Sequence, residues 1–349
     1  MKKKLKIKTN GKGDRLQQLQ AVANQCNKAL GSTGAVYLGS EQRAFERVPT
    51  GIVALDYVLG GGLVRGQMIQ FTGAESCFKT TAAMISAANI QKNGGLAVWV
   101  AGEGFDKSWA AKHGVDIKKL LIVTANMGDV ALETAMTLLE SGLVDVMVFD
   151  SFQSLGTSQE MEGAVDDPAY ASAGAPQMWG RVMRRVYAAG AANACLIGIS
   201  QVRAKIGGFS GHGPPEPEGT GIWAIKHWKC ADVIFKKGEP IFAGDKTGEG
   251  RKLLSREFKL HCKKNKTAPT EQFQASFTFK RKSDGTWKVD NLGTLMRLAM
   301  ACEVVERSGA WYQGFGIKAQ GEDKYRLALA KNFKAQRKLK RAVFEQLNG

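Results

Sequence analysis

No apolar run in this chain is long enough to cross a membrane as a helix, and the N-terminal "MKKKLKIKTNGKGD" lacks the apolar stretch of a signal peptide. The six cysteines (Cys26, Cys77, Cys195, Cys230, Cys262, Cys302) include no Cys-x-x-Cys pair and only four histidines accompany them, which argues against a zinc site and against a disulfide framework. Internal repeats, low-complexity tracts and a nuclease-like carboxylate cluster are also missing. Acidic residues are in short supply: 32 Asp and Glu face 49 Lys and Arg, leaving a formal charge of +17. That excess exceeds what solubility requires and points to a polyanionic partner, nucleic acid before membrane. Together these features predict a cytoplasmic protein with reduced thiols.

What is present is an ordinary soluble composition, 44% hydrophobic and 23% charged, in 349 residues, enough for one large core and a satellite domain. Residues 1–12 carry six lysines and no acid; an arm that touches nucleic acid and a solvated tail fit equally well. Leu16, Leu19, Val22, Ala23, Cys26 and Leu30 recur at helical spacing, predicting an amphipathic helix. "QMIQFTG", "LAVWVAG", "LLIVTAN", "VDVMVFD" and "CLIGISQV" read as strands, with helices expected after Lys79, Asp106, Asp129 and Pro176. This alternation predicts an α/β fold with a mostly parallel sheet covered on both faces, its ligands at the strand C-terminal ends. From Asp232 on, "ADVIFKKGE", "REFKLHCKKNK" and "QASFTFKRKSDGTWKV" predict an antiparallel extension that turns at Ser283-Asp284-Gly285. The last sixty residues read as mostly helical; the basic stretch 324–341 with Leu339, Val343 and Leu347 at four-residue spacing suits either a solvated basic face or a DNA-facing one.

"TGAESCFKTT", residues 72–81, is nearly a phosphate-binding loop. Gly73, Lys79 and Thr80 hold three of the four fixed positions, after a strand and before an Ala-rich helix. Phe78 stands where glycine is usual, and a bulky residue at positive φ would cost about 1–2 kcal/mol and need somewhere to pack its ring. In a working loop the backbone of Gly73, Ala74, Glu75, Ser76, Cys77 and Phe78 cradles phosphates, Lys79 reaches the terminal ones, the Thr80 hydroxyl takes magnesium, and Thr81 joins the nucleotide contacts. Three strand ends add polar groups. Asp150 suits a magnesium carboxylate, or a helix N-cap; Glu103 suits a group that activates water, or a surface residue; Gln201 can sense a γ-phosphate.

The order of "PTGIVALDYVLGGGLVRGQMIQFTGAESCFKTT", "KHGVDIKKLLIVTANMGDVALETAMTLLESGLVDVMVFDSFQSL", "EMEG", "ISQVRAKIG", "KKNKTAP" and "ERSGAWYQGFGIK" resembles that of bacterial RecA-type recombinases, from about Leu16 to the C-terminus. Phe78 is similar to its counterpart in phage-type members, which suggests a phage-encoded relative acting in the host cytoplasm. The resemblance implies a RecA-like P-loop ATPase core with an antiparallel extension, an N-terminal helix and a small α+β C-terminal domain, divided 1–45, 46–285 and 286–349. It implies an ATPase with ATP and Mg2+ that forms a helical filament on single-stranded DNA and exchanges strands with duplex DNA. Single-strand-binding and loader proteins enter as further partners.

By the same resemblance Glu103 activates water, although "AGEGFD" is one residue shorter than the family's equivalent. Asp106 and Trp109 look like the adenine contacts, core packing being the other use of the ring. Lys264 and Lys266 look like lysines that reach the neighbouring protomer's ATP; a basic strand face is the alternative. The helix from Leu16 would dock on the adjacent subunit, although periodicity fits packing within the chain as well. DNA contacts are implied for Tyr170, in a segment about two residues longer than usual, and for Arg184. The Gly/Pro-rich segment 203–220 supplies Arg203, Lys205, Ile206, Gly207, Gly208 and Phe209, and Lys259 and His261 resemble part of a duplex site. Without the resemblance, a loop with incidental charges explains 203–220. The C-terminus lacks the acidic tail of many bacterial relatives, so tail autoinhibition is not expected. Competing functions are a RecA-fold DNA motor or helicase, and a nucleotide-binding DNA coat with little hydrolysis.

Overall fold

The computed structural model describes residues 14–29, 31, 36–41, 44–124, 127–158, 174–188, 193–202, 223–243 and 251–347. Two compact units divide the chain, Met1–Phe45 and Glu46–Gly349. The first holds helix α1 (Arg15–Ala29), none of whose residues is buried; Leu16 is 50% and Leu19 65% exposed. Asn27 closes the segment that follows, its amide nitrogen donating to Val36 O at 2.8 Å while its oxygen accepts Val36 N at 2.9 Å.

The second unit is built on a nine-stranded sheet. Strand β1 (Arg47–Val48) and strand β2 (Leu63–Val64) form a small antiparallel pair flanking helix α2 (Val53–Val58). The parallel strands are β3 (Met68–Gly73), β4 (Ala97–Ala101), β5 (Leu120–Val123), β6 (Val146–Asp150), β7 (Cys195–Gln201) and β8 (Ala231–Ala243). Strands β9 (Lys252–Asn265), β10 (Gln274–Arg281) and β11 (Trp287–Val289) extend the sheet antiparallel, in the order β11-β10-β9-β8-β3-β7-β6-β4-β5. Period-two side chains divide the core. On β4 and β6, Ala97, Trp99, Val146 and Val148 join one cluster, while Val98, Val100, Met147 and Phe149 join the other. Helices α3 (Lys79–Lys92) and α4 (Lys107–Lys112) contribute to the first cluster; α5 (Gly128–Glu140) and α6 (Gly174–Ala188) contribute to the second. The short helix α7 (Trp223–Trp228) precedes β8. On α5, Ala131, Leu132, Ala135, Met136 and Leu139 are buried at the three- and four-residue spacing that one covered helix face requires.

All five expected parallel strands and the antiparallel extension are present, and the turn after β10 is held by Asp284 Oδ1, which accepts Thr286 N at 2.9 Å. Asp129 lies inside the first turn of α5 instead of before it, where it accepts the Ser158 hydroxyl. The C-terminal region is less helical than its sequence reads. Between α8 (Asn291–Ala301) and α9 (Glu322–Lys331) stands a three-stranded antiparallel sheet of β12 (Glu306–Ser308), β13 (Trp311–Gly314) and β14 (Ile317–Gln320). Strands of three or four residues with mostly exposed side chains carry almost no periodic signal. Helix α10 (Phe333–Glu345) buries Leu339 and Val343 and exposes Arg337, Lys338 and Arg341, while Lys340 reaches the buried carboxylate of Asp56 on α2 at 3.3 Å.

Candidate nucleotide-binding site

The phosphate loop begins where the fully buried β3 ends. A Cβ on Gly73 would lie 2.5 Å from the carbonyl oxygen of Phe235, so the strand can carry no side chain there. Ala74, Glu75 and Ser76 are exposed, whereas Cys77, Phe78, Lys79 and Thr81 are buried. Lys79 Nζ donates to Gly73 O at 2.8 Å and to Ala74 O at 2.7 Å, folded over the loop it serves. Phe78 occupies the N-cap of α3 at φ 78°, the positive angle that makes glycine usual at this position. Its ring packs between Phe258, Phe277 and Phe279, at centroid distances of 4.8, 5.1 and 4.8 Å. Aromatic pairs contribute about 0.5–1.5 kcal/mol each beyond area burial, enough to offset a backbone cost of similar size. No side chain caps α3, and an uncapped helix N-terminus offers amide donors and positive dipole charge to an anion.

Neighbouring strand ends bring the acids. Asp150 stands buried at the end of β6, with Thr80 and Lys79 of α3 and Glu103 around its carboxyl. Burial, followed by the negative charge of Glu103, pushes its carboxyl up to about 6, against the opposing pull of Thr80 and Lys79. Burial likewise lowers the Lys79 ammonium below its ordinary value. Glu103, just beyond β4, is held by two donors on Oε1: the Ser151 hydroxyl at 2.7 Å and Gln201 Nε2 at 3.1 Å. A Cβ on Gly102 would fall 2.2 Å from Ser154 Oγ, so the glycine before Glu103 lets the strand end pass close to the turn after β6. The three polar strand-end residues singled out from the sequence, Glu103, Asp150 and Gln201, thus meet beside Lys79 and Thr80. Ser151 was missed as the partner of Glu103, and no local signal links residues 48 positions apart.

The adenine pair is less committed. Asp106 caps α4, its Oδ1 accepting Ser108 N at 2.8 Å and Trp109 N at 3.0 Å. Trp109 is partly buried against the core, donates from Nε1 to Thr81 Oγ1 at 3.2 Å, and meets His113 edge-on at 4.5 Å. Lys264 and Lys266 are gathered elsewhere in the protomer: their ammonium groups donate to Lys226 O at 2.7 Å and His227 O at 2.8 Å, at the C-terminal end of α7. Arg184 is exposed on α6, Lys259 is exposed on β9 beside Lys236 of β8, and His261 Nε2 lies 2.9 Å from Gln272 Oε1. Tyr170, Arg203, Lys205, Ile206, Gly207, Gly208 and Phe209 lie outside the described residues.

Among the described residues no group of three or more His, Cys, Asp or Glu side chains is arranged to hold a metal ion, and no helix is long and apolar enough to cross a membrane. Asp150 with Thr80 nevertheless fits a divalent cation that brings its own phosphate ligands, because burial and the neighbouring Glu103 carboxylate outweigh the positive charge of Lys79 at Asp150.

The family model for the RecA N-terminal domain matches residues 17–280. Protein RecA of Chloroherpeton thalassium is 32% identical over 348 residues, covering 97% of this chain and 92% of the relative. That of Chlorobaculum tepidum is 32% identical over 345 residues, covering 96% and 94%. That of Francisella tularensis subsp. novicida is 32% identical over 335 residues, covering 94% and 89%. With a phosphate loop, a strand-end acid cluster and a match of this extent, the chain belongs to the RecA family.

Proposed function

We propose that this chain is an ATP-dependent recombinase that assembles as a helical filament on single-stranded DNA, pairs it with homologous duplex and hydrolyses ATP where protomers meet. The observation that carries the reading is the hydrogen-bonded set Ser151, Glu103 and Gln201 beside Lys79 and Asp150. Lys79 exchanges its two carbonyl partners for the terminal phosphates, and the free amides at the start of α3 take the remaining phosphate oxygens. Thr80 and Asp150 would hold magnesium, which would neutralise charge on the phosphates. Glu103, fixed by Ser151, orients and deprotonates the attacking water. Asp106 and Trp109 hold the adenine.

Gln201 is both a ligand of Glu103 and the last residue of β7, from which the chain passes to Arg203 and Lys205. A γ-phosphate that draws the amide away from Glu103 therefore acts directly on the segment assigned to DNA, and the two binding events strengthen each other. The exposed Leu16 and Leu19 of α1 support polymerisation, since an apolar helix face without cover suits a heterologous contact that repeats from subunit to subunit. Lys264 and Lys266 complete the neighbour's site in such a filament.

The test is ATP hydrolysis with and without single-stranded DNA, with Lys79→Ala as the blank, followed by strand exchange between a single strand and homologous duplex. Stimulation by DNA that vanishes in the variant is expected. DNA binding without hydrolysis above the blank would replace this reading with that of a nucleotide-binding coat, and closed rings in electron micrographs would favour a motor.

A further inference from the structure

Four buried polar residues form a closed network next to the phosphate loop that the nucleotide chemistry leaves unused. Lys229 Nζ donates to Gln70 Oε1 at 3.1 Å and to Asp232 Oδ2, Thr72 Oγ1 donates to Asp232 Oδ1 at 2.7 Å, and Gln70 Nε2 donates to Thr72 Oγ1 at 3.0 Å. Lys229 is 7% and Asp232 6% exposed, with Gln70 and Thr72 also buried. A buried ion pair stabilises a fold poorly, because desolvation consumes most of the Coulombic gain and apolar residues of similar volume serve as well. Such a pair is better understood by what it holds in place.

It holds the last turn of α7. Successive carbonyls of that turn are committed to two other parts of the fold: Lys226 O and His227 O to Lys264 and Lys266 at the end of β9, and Trp228 O to the Tyr187 hydroxyl of α6 at 2.8 Å. Tyr187 and Trp228 also stack at 5.0 Å, which joins α6, where the chain returns from residues 159–173, to α7, where it returns from 203–222. The network then fastens the turn to the sheet at two points. Thr72 directly precedes Gly73, whose carbonyl holds Lys79, and Asp232 lies opposite Lys264 in the β8–β9 register. Cys230 N donates to Met68 O at 2.8 Å and Lys266 N to Cys230 O at 2.9 Å, so the backbone follows the same route.

We propose that Lys229 is a positioning residue for ATP turnover: paired with Asp232, it locks the α7 turn to the phosphate-loop strand and thereby sets Lys264 and Lys266 for the neighbouring protomer's nucleotide. This rests on the role proposed above for those two lysines. To reach a neighbour's phosphates, both ammonium groups must leave their carbonyls, and the turn must stay in register while they do so. The Lys229–Asp232 lock supplies that fixed point.

The test is a double-mutant cycle on the full chain, using DNA-stimulated ATP hydrolysis at saturating ATP, affinity for a fluorescent ATP analogue, and urea melts as the control for folding. Lys229→Met is expected to lower DNA-stimulated kcat by about tenfold or more while analogue affinity stays within about twofold, because misplacing a group costs turnover before ground-state binding. With Lys264→Ala and Lys266→Ala together as the other arm of the cycle, adding Lys229→Met should slow turnover no further, since a residue that acts through two others adds nothing once both are gone. Losses that multiply when the two arms are combined, or a Lys229→Met chain at the parent rate, would overturn the positioning role alone. A chain carrying Lys264→Ala and Lys266→Ala at the parent rate would overturn the assignment of those lysines, and the inference with it. Where Lys229→Met fails to fold, Thr72→Val, which loosens Asp232 without removing a charge, replaces it in the same cycle with the same expectations.

Discussion

The rings of Phe78 and Phe258 lie 4.8 Å apart between centroids, so the residue that departs from the phosphate-loop pattern also ties that loop to the antiparallel end of the sheet. Its strain and its packing act in opposition, and substitution separates them. Phe78→Ala keeps the positive φ and loses the ring, for a loss of about 3–5 kcal/mol of stability. Phe78→Gly loses the same ring but relieves the backbone, and is expected to be the more stable of the two by about 1 kcal/mol. Urea denaturation of both variants decides it; an alanine variant more stable than the glycine variant would mean that φ is not positive in solution.

Glu103 accepts from Ser151 and Gln201 through one oxygen, so both donors orient its carboxylate. Glu103→Gln should retain nucleotide binding and lose on the order of 100-fold in turnover, the scale of general-base removal. Ser151→Ala, which removes one orienting donor, should cost less, roughly tenfold. Single-turnover hydrolysis with a separate binding measurement distinguishes lost chemistry from lost affinity.

Gln201→Ala removes a side chain that touches the acid cluster at the end of β7, from which the chain enters the segment proposed to bind DNA. The parent chain should bind single-stranded DNA more tightly with a non-hydrolysable ATP analogue than with ADP. The variant should bind with equal affinity in both states, and by linkage DNA should no longer tighten its hold on the analogue. Fluorescence anisotropy of a labelled oligonucleotide measures this, and a preserved difference would remove Gln201 from the coupling.

Asp150 makes the nucleotide-free chain sensitive to pH. Its folded pKa of about 6 lies above the ordinary 3.8, so its favourable contribution to stability is complete below the unfolded value and is lost as pH rises through about 6. Two pKa units correspond to about 3 kcal/mol at most. Asp150→Asn should therefore raise the Tm of the nucleotide-free protein at pH 7 and bring it closer to its pH 4 value, while abolishing magnesium-dependent hydrolysis. A fall in Tm at pH 7 would show that the carboxylate is compensated in solution.

Much of the fold was legible because its strands are buried on both faces. β4, β6 up to Asp150, and all but the last two residues of β7 are apolar runs, and β3 is broken only by Gln70 and Thr72, the pattern that strands covered on both faces require. The edge strand β5 and the strands β12 to β14 leave half or more of their residues exposed, and their signal weakens accordingly. Site residues were legible where a strand end or a loop spacing marked them. Partners were not: Ser151 for Glu103, and Lys229 for Asp232 and Gln70, become visible only once distant strands are laid side by side.

By itself, then, the sequence determined the element order, the phosphate loop with its aromatic departure, the three polar strand ends and the basic excess, because each is written in local spacing or composition. Tertiary structure alone decided that Phe78 has three aromatic neighbours, that one carboxylate oxygen takes two donors, and that a buried lysine fastens α7 to the phosphate-loop strand. Those relations join residues far apart in the chain, and a parallel sheet sets its neighbours by crossover topology, which no local pattern encodes.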